Sequence, residues 1–125
     1  MENKKVVFIS FPYSRDPKKG EELSLLGGLY VRREGKTPFS PVFNFQNFFD
    51  NGNEYDAVLE DCKVILSRCD EALFIEDAEE LSKGQMIELA AAQGMRKKVL
   101  IVESATLKDL IRFTVTKKGK EVMSV

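Results

Sequence analysis

The sequence predicts an α/β domain, a mostly parallel sheet of four or five strands with helices on both faces. Three observations carry that prediction. Apolar runs rich in β-branched residues recur along the chain, and stretches with helical spacing separate them. The 125 residues also contain no internal repeat, low-complexity tract or linker. One domain over residues 1–125 is the expected organisation, long enough to bury a core without disulfides or metal.

The elements follow in order. "KVVFIS" (5–10) is a β-branched run that ends in a loop with Ser, Pro and Tyr, and it reads as a strand buried on both faces. "GEELSLLGGLYVRREG" (20–35) sets Leu23, Leu26, Leu29 and Tyr30 at helical spacing and stops at Gly35. "TPFSPVF" (37–43) is a short second strand whose prolines place it at an edge or end it early. "EYDAVLEDCKVILSRCD" (54–70) carries Ala57, Val58, Cys62, Ile65 and Leu66 on one helical stripe, and "EALFIED" (71–77) is the third strand. Ser82 to Gly94 is the third long helix, with Ser82 as its N-cap, and "KKVLIVES" (97–104) is the fourth strand. The tail, 105–125, reads as a short helix with room for one more strand.

Repeated β-α units imply right-handed crossovers and put ligands at the carboxyl ends of the strands. The segments there are "SFPYSRDP", "SPVFNFQNFFDNGN", "EDAEELSKG" and "ESAT". The first three are richer in polar and aromatic residues than simple connectors.

Composition removes whole classes of function. Nineteen basic against twenty acidic residues give a net charge of −1, so no global field recruits nucleic acid or an anionic membrane. The hydrophobic fraction of 43% with 31% charged residues is that of a soluble globular chain. No apolar run is long enough to span a bilayer and "MENKKVVF" has no signal-peptide pattern, so a cytoplasmic location is expected. With no histidine and only Cys62 and Cys69, zinc sites, Ser-His-Asp triads and Cys-His dyads are excluded, and no cofactor is expected. Those cysteines are seven apart on one predicted helix, roughly 10 Å along its axis, too far to bridge. Chemistry must therefore use carboxylates, hydroxyls, amides, Lys, Arg or Tyr.

Within "EELSKGQMIELAAAQG" (79–94), Ser82 and Gln85 fit a capping box. The same helix start, with Gly84 in its first turn, exposes backbone N–H groups suited to an anion such as phosphate. Glu88 lies further along, near the edge of the apolar face. Its pattern alone favours a solvated surface acid, against a carboxylate aimed across the sheet as nucleophile or base. Asp70 closes a helix against the helix dipole, so it gains either a turn hydrogen bond or a functional place. Asp77 lies at the carboxyl end of its strand, among the loop acids Glu76, Glu79 and Glu80. In "SFPYSRD" (10–16), Ser10, Tyr13, Ser14 and Arg15 are candidates to contact sugar or phosphate, against a plain Pro-containing turn. Phe43, Phe45, Phe48 and Phe49 suit a core or lid, and also stacking on a flat base.

Taken in order, "VVFISFPYS", "GKTPFSPVFNFQNFFD", "LSRCDEALFI" and "LSKGQMIELAAAQG" resemble the nucleoside 2-deoxyribosyltransferase-like superfamily over roughly residues 5–103, most closely its small bacterial and phage members. The resemblance implies a flavodoxin-like or Rossmann-like three-layer sandwich and cleavage of the N-glycosidic bond of a nucleoside or nucleotide. Glu88 matches the family's glutamate nucleophile, and Asp70 its aspartate near base and sugar. Ser82, six residues before Glu88, matches the serine that contacts the 5′-phosphate in monophosphate-cleaving relatives, with Gly84 behind it. That tilts the expectation toward a nucleoside 5′-monophosphate and toward hydrolysis, although "SFPYSRD" does not reproduce the glycine-serine phosphate loop of those hydrolases. A homo-oligomer is a further implication of the resemblance. Two alternatives stand beside it. One is a non-catalytic module that binds a nucleotide or an ADP-ribose-like ligand. The other is an NAD-cleaving domain resembling TIR domains, suggested by "VFISF" followed by "SRD".

Overall fold

A computed structural model describes residues 4–12, 17–41, 55–78 and 80–118. The elements alternate as β1 (Val6–Ser10), α1 (Pro17–Arg33), β2 (Thr37–Phe39), α2 (Tyr55–Arg68), β3 (Glu71–Glu76), α3 (Lys83–Gly94), β4 (Lys98–Glu103) and α4 (Ser104–Lys118). The four strands form one parallel sheet in the order β2-β1-β3-β4.

Local signals moved one helix boundary and one strand boundary from their expected places. Helix α1 begins at Pro17 rather than residue 20, because proline pre-sets the helical φ and lacks only an N–H that the first turn leaves unbonded anyway. Strand β2 ends at Phe39, three residues long, just before the second proline of its run. The tail departs further. Residues 104–118 are one 15-residue helix that starts directly at the end of β4, and among the described residues there is no fifth strand.

Side-chain alternation divides the core into two layers. From β1 and β3, Val7, Ile9, Leu73 and Ile75 face Leu23 and Val31 of α1 and Leu107 of α4. Phe8, Ala72 and Phe74 face the other way, onto Cys62 and Leu66 of α2, Cys69 just past its end, and Ala92 of α3. Each fully buried Phe, Leu or Ile stabilises the fold by about 1.5–3 kcal/mol relative to exposure, so these two layers hold the sheet. Both cysteines are buried free thiols.

Helix α1 lies close against the sheet at Gly27, where an added Cβ would stand 3.0 Å from both Ile9 Cγ2 and Ile75 Cδ1. A branched side chain there must push the helix off the sheet. Gly27→Val is expected to lose about 1–3 kcal/mol, read as a lower denaturant midpoint at unchanged slope.

The strand order reverses direction between β1 and β3, since the chain builds outward to β2 from one and to β4 from the other. In open parallel sheets the crevice for ligands lies at the carboxyl ends of the strands flanking that reversal. Here those ends are Ser10 and the Glu76–Asp77 pair. Among the described residues, no helix is long and apolar enough to cross a membrane.

Candidate functional site

Ser10, the last residue of β1, is nearly inaccessible and faces Glu88 of α3. Its hydroxyl donates to Glu88 Oε1 over 2.6 Å, joining positions 78 residues apart. Glu88 is only 8% exposed, so the surface-acid reading is corrected: α3 crosses the carboxyl end of the sheet with this side chain turned inward. A second donor comes from α2, where the Cys62 thiol hydrogen-bonds the same carboxylate.

The electrostatics follow from that packing. Burial pushes the Glu88 carboxyl above its ordinary value, while the Ser10 and Cys62 hydrogen bonds pull in the opposite direction by favouring the charged form. Burial, and after it the adjacent Glu88 charge, raise the Cys62 thiol, so it stays protonated and donates. Cys62 fills the core as its place on the stripe implies, and it also contacts the acid. Sequence reasoning missed that second part, because nothing local to Cys62 points to a partner 26 positions away.

The start of α3 is fixed by a complete capping box. Ser82 Oγ accepts from the Gln85 N–H at 3.2 Å, and Gln85 Oε1 accepts from the Ser82 N–H at 2.9 Å. Gln85 does more than cap. Its buried amide donates to the Ser10 carbonyl at 3.1 Å and the Ile75 carbonyl at 2.8 Å, so one side chain ties the ends of β1 and β3 to α3. The Glu88 side chain, one turn further along, is thereby held to the sheet ends. Ser82 and Gly84 are both half-buried at this helix start.

Asp77 lies just past the end of β3, at the same edge of the sheet. Its carboxylate takes the Lys19 ammonium at 3.0 Å and the Ser104 hydroxyl at 3.1 Å. The Lys19 contact, with Ser104 and the charge of Lys108 behind it, holds the Asp77 carboxyl below its usual range against the opposing effect of partial burial. The next residue, Ala78, has φ of 56°. This left-handed turn, which costs a non-glycine residue about 1–2 kcal/mol, lets the backbone of Glu80 fold back onto Asp77.

Asp70 does not join this group. It sits at the amino end of β3, where its Oδ2 accepts from the Val6 N–H at 2.8 Å and its own N–H donates to the Val6 carbonyl at 2.9 Å. Val6 and Ser10 are the two ends of β1, roughly 13 Å apart at the rise of a parallel strand. These bonds cross to β1, so what Asp70 gains is a structural tie between two strands rather than a turn hydrogen bond. Tyr13 and Phe45 lie outside the described residues, as do Ser14, Arg15 and the other phenylalanines of that loop. The structure thus brings together Ser10, Glu88, Ser82, Gly84 and Asp77 at one end of the sheet, and leaves Asp70 at the other.

This arrangement belongs to the flavodoxin-like α/β class: a parallel sheet, two helical layers, and polar side chains at the switch point. Within that class the fold is similar to those of two solved 2-deoxyribosyltransferases. It is similar to a 2-deoxyribosyltransferase from the psychrotolerant bacterium Bacillus psychrosaccharolyticus, at TM-score 0.64 and 19% identity, over 78% of this chain and 72% of that one. A 2-desoxiribosyltransferase from Leishmania mexicana is similar at TM-score 0.59 and 18% identity, over 79% of this chain and 64% of that one. No protein-family model matches the sequence, and no curated protein sequence matches it.

Proposed function

We propose that this protein cleaves the N-glycosidic bond of a nucleoside or a nucleoside 5′-monophosphate, by hydrolysis or deoxyribosyl transfer, with Glu88 as nucleophile. The observation that carries the reading is the buried Glu88 carboxylate, held by Ser10 at the carboxyl end of β1. A helical glutamate with no structural partner to neutralise stays in water; this one is desolvated at the switch point, where a parallel sheet receives its ligand. The fold likeness to two deoxyribosyltransferases supports the same chemistry.

In this scheme the Glu88 carboxylate attacks the anomeric carbon as the bond to the base breaks, and the base leaves with the bonding pair and takes a proton from solvent water. The glycosyl ester then yields to water or to a second base, the logic of a retaining glycosidase. Ser10 anchors Oε1 so that the attacking oxygen is oriented before the substrate arrives. Asp77, kept ionised by Lys19, suits a sugar hydroxyl as acceptor better than it suits proton donation. The Ser82 hydroxyl accepts from Gln85 and retains its own proton to donate to a 5′-phosphate oxygen beside Gly84. Asp70 has no part in the scheme. A homo-oligomer, which the family resemblance implies, is included in the reading.

The test is chromatographic detection of free base from a panel of nucleosides, their 5′-monophosphates and NAD, with wild type and Glu88→Ala in parallel. Release is expected from wild type and not from the variant. Glu88→Ala releasing base as fast as wild type would sink the assignment. A wild-type protein that is silent on the whole panel, yet thermally stabilised by an intact nucleotide, would identify a binding module instead.

A further inference from the structure

Cys62 is a buried side chain to which the reaction scheme gives no task. It stands on the stripe of α2 that faces the sheet, 4% exposed, in one layer with Phe8, Leu66, Phe74 and Ala92. An apolar residue would suit that layer equally well. Yet the thiol hydrogen-bonds the Glu88 carboxylate, so a polar group stands where packing asks for none. The carboxylate of α3 is thereby held from β1 through Ser10 and from α2 through Cys62. Gln85 already fixes α3 to β1 through the Ser10 carbonyl, and the thiol supplies the corresponding link on the α2 side.

We propose that Cys62 is a positioning residue for Glu88: its thiol anchors the carboxylate from α2 while the Ser10 hydroxyl anchors it from β1. The assignment rests on the reading of Glu88 as nucleophile. Charge explains why two donors are needed. Among the described residues, the influences on the Glu88 carboxyl are burial and these two hydrogen bonds, and no lysine or arginine is among them. A buried carboxylate without a cation keeps its charge through its donors, so each donor removed makes ionisation harder. The thiol suits the task because it keeps its proton. Burial raises it first, then the charge and hydrogen bond of Glu88, then the charge of Asp61, which is exposed on α2. A thiolate there would repel Glu88, whereas a protonated thiol donates to it. Sulfur is also only weakly polar, so the same atom belongs in the apolar layer that it lines.

The experiment follows Glu88 ionisation directly, by NMR of the side-chain carboxyl carbons of the full-length protein, with the Glu88 resonance identified by its loss in Glu88→Gln. Wild type, Cys62→Ala, Cys62→Val and Cys62→Ser are titrated, and circular dichroism confirms that each is folded. Alanine and valine both remove the donor, the first leaving a void and the second filling it. Both are expected to raise the Glu88 midpoint by about one pH unit, the order of shift that one hydrogen bond to a carboxylate carries. Cys62→Ser keeps a donor in nearly the same place and is expected to stay near wild type. The acid limb of kcat/KM for base release reports the same group in the free protein, so it should move with the midpoint in the first two variants and return in the third. A side chain that only filled space would change stability and leave both midpoint and limb in place. A midpoint unmoved in Cys62→Ala and Cys62→Val, or moved as far in Cys62→Ser, would overturn the proposal. Silence across the substrate panel would overturn the glycosidase reading instead, because the NMR midpoint needs no turnover.

Discussion

Glu88→Gln is expected to lose base release by at least about a thousandfold, yet to fold more stably than wild type near neutral pH. The two effects have one cause. A nucleophilic carboxylate must be charged to react, and Glu88 is placed where burial disfavours that charge. The Ser10 and Cys62 hydrogen bonds return part of the loss, and burial remains the larger influence. The sign of the pH dependence follows. With the folded carboxyl above the ordinary 4.5, the folded state holds its proton more tightly than the unfolded chain. This contribution to stability is complete below pH 4.5 and falls as pH rises toward the raised folded value. Glutamine has nothing to ionise, and its amide oxygen still accepts from Ser10 and Cys62. Urea unfolding of both proteins across the acid range should give curves that nearly coincide below pH 4.5 and separate in favour of the variant above it. A stability difference independent of pH would mean that Glu88 is solvated in the folded state, and the nucleophile assignment would lose its physical basis.

What the sequence revealed and what it hid divide by distance along the chain. Strands β1, β3 and β4 were legible from apolar runs, and the capping box of α3 from Ser82 and Gln85, because those signals lie within a few residues. The alternation of elements was enough to reach the fold class. Glu88 was harder: a pattern confined to α3 puts it at the edge of the apolar face, and its burial is decided by Ser10 and Cys62, which arrive from two other elements. Only the likeness to a family singled it out. Asp70 was marked for the same reason, yet its local signal, an acid ending a helix, described its structural bond to Val6. The tail, read as a short helix with room for one more strand, is a helix from Ser104 to Lys118 that sets Leu107 against Leu23 and Val31 of α1, a contact no local pattern shows.

Gln85→Leu is the second variant with a large expected effect, and it separates the scaffold of the site from its chemistry. Leucine matches glutamine closely in size and restores the greasy face that a helix over a sheet ordinarily presents, so packing alone predicts little change. Hydrogen bonding predicts the reverse. The Gln85 side chain donates to the carbonyls of Ser10 and Ile75 and accepts from the N–H of Ser82, and it is almost wholly enclosed. Leucine leaves those backbone groups without this partner in a place shielded from water, at about 1–3 kcal/mol for each one left unsatisfied. A total loss of roughly 3–5 kcal/mol is expected, or a melting temperature lower by about 10–20 °C for a chain of this size. Because the same amide ties β1 and β3 to α3, the carboxylate of Glu88 should also lose its register with Ser10, and base release should fall even where the variant remains folded. Thermal unfolding followed by circular dichroism, with base release measured well below the midpoint, reads both. A variant as stable as wild type would show that water replaces the amide at the strand ends, and that α3 is held to the sheet by its apolar contacts alone.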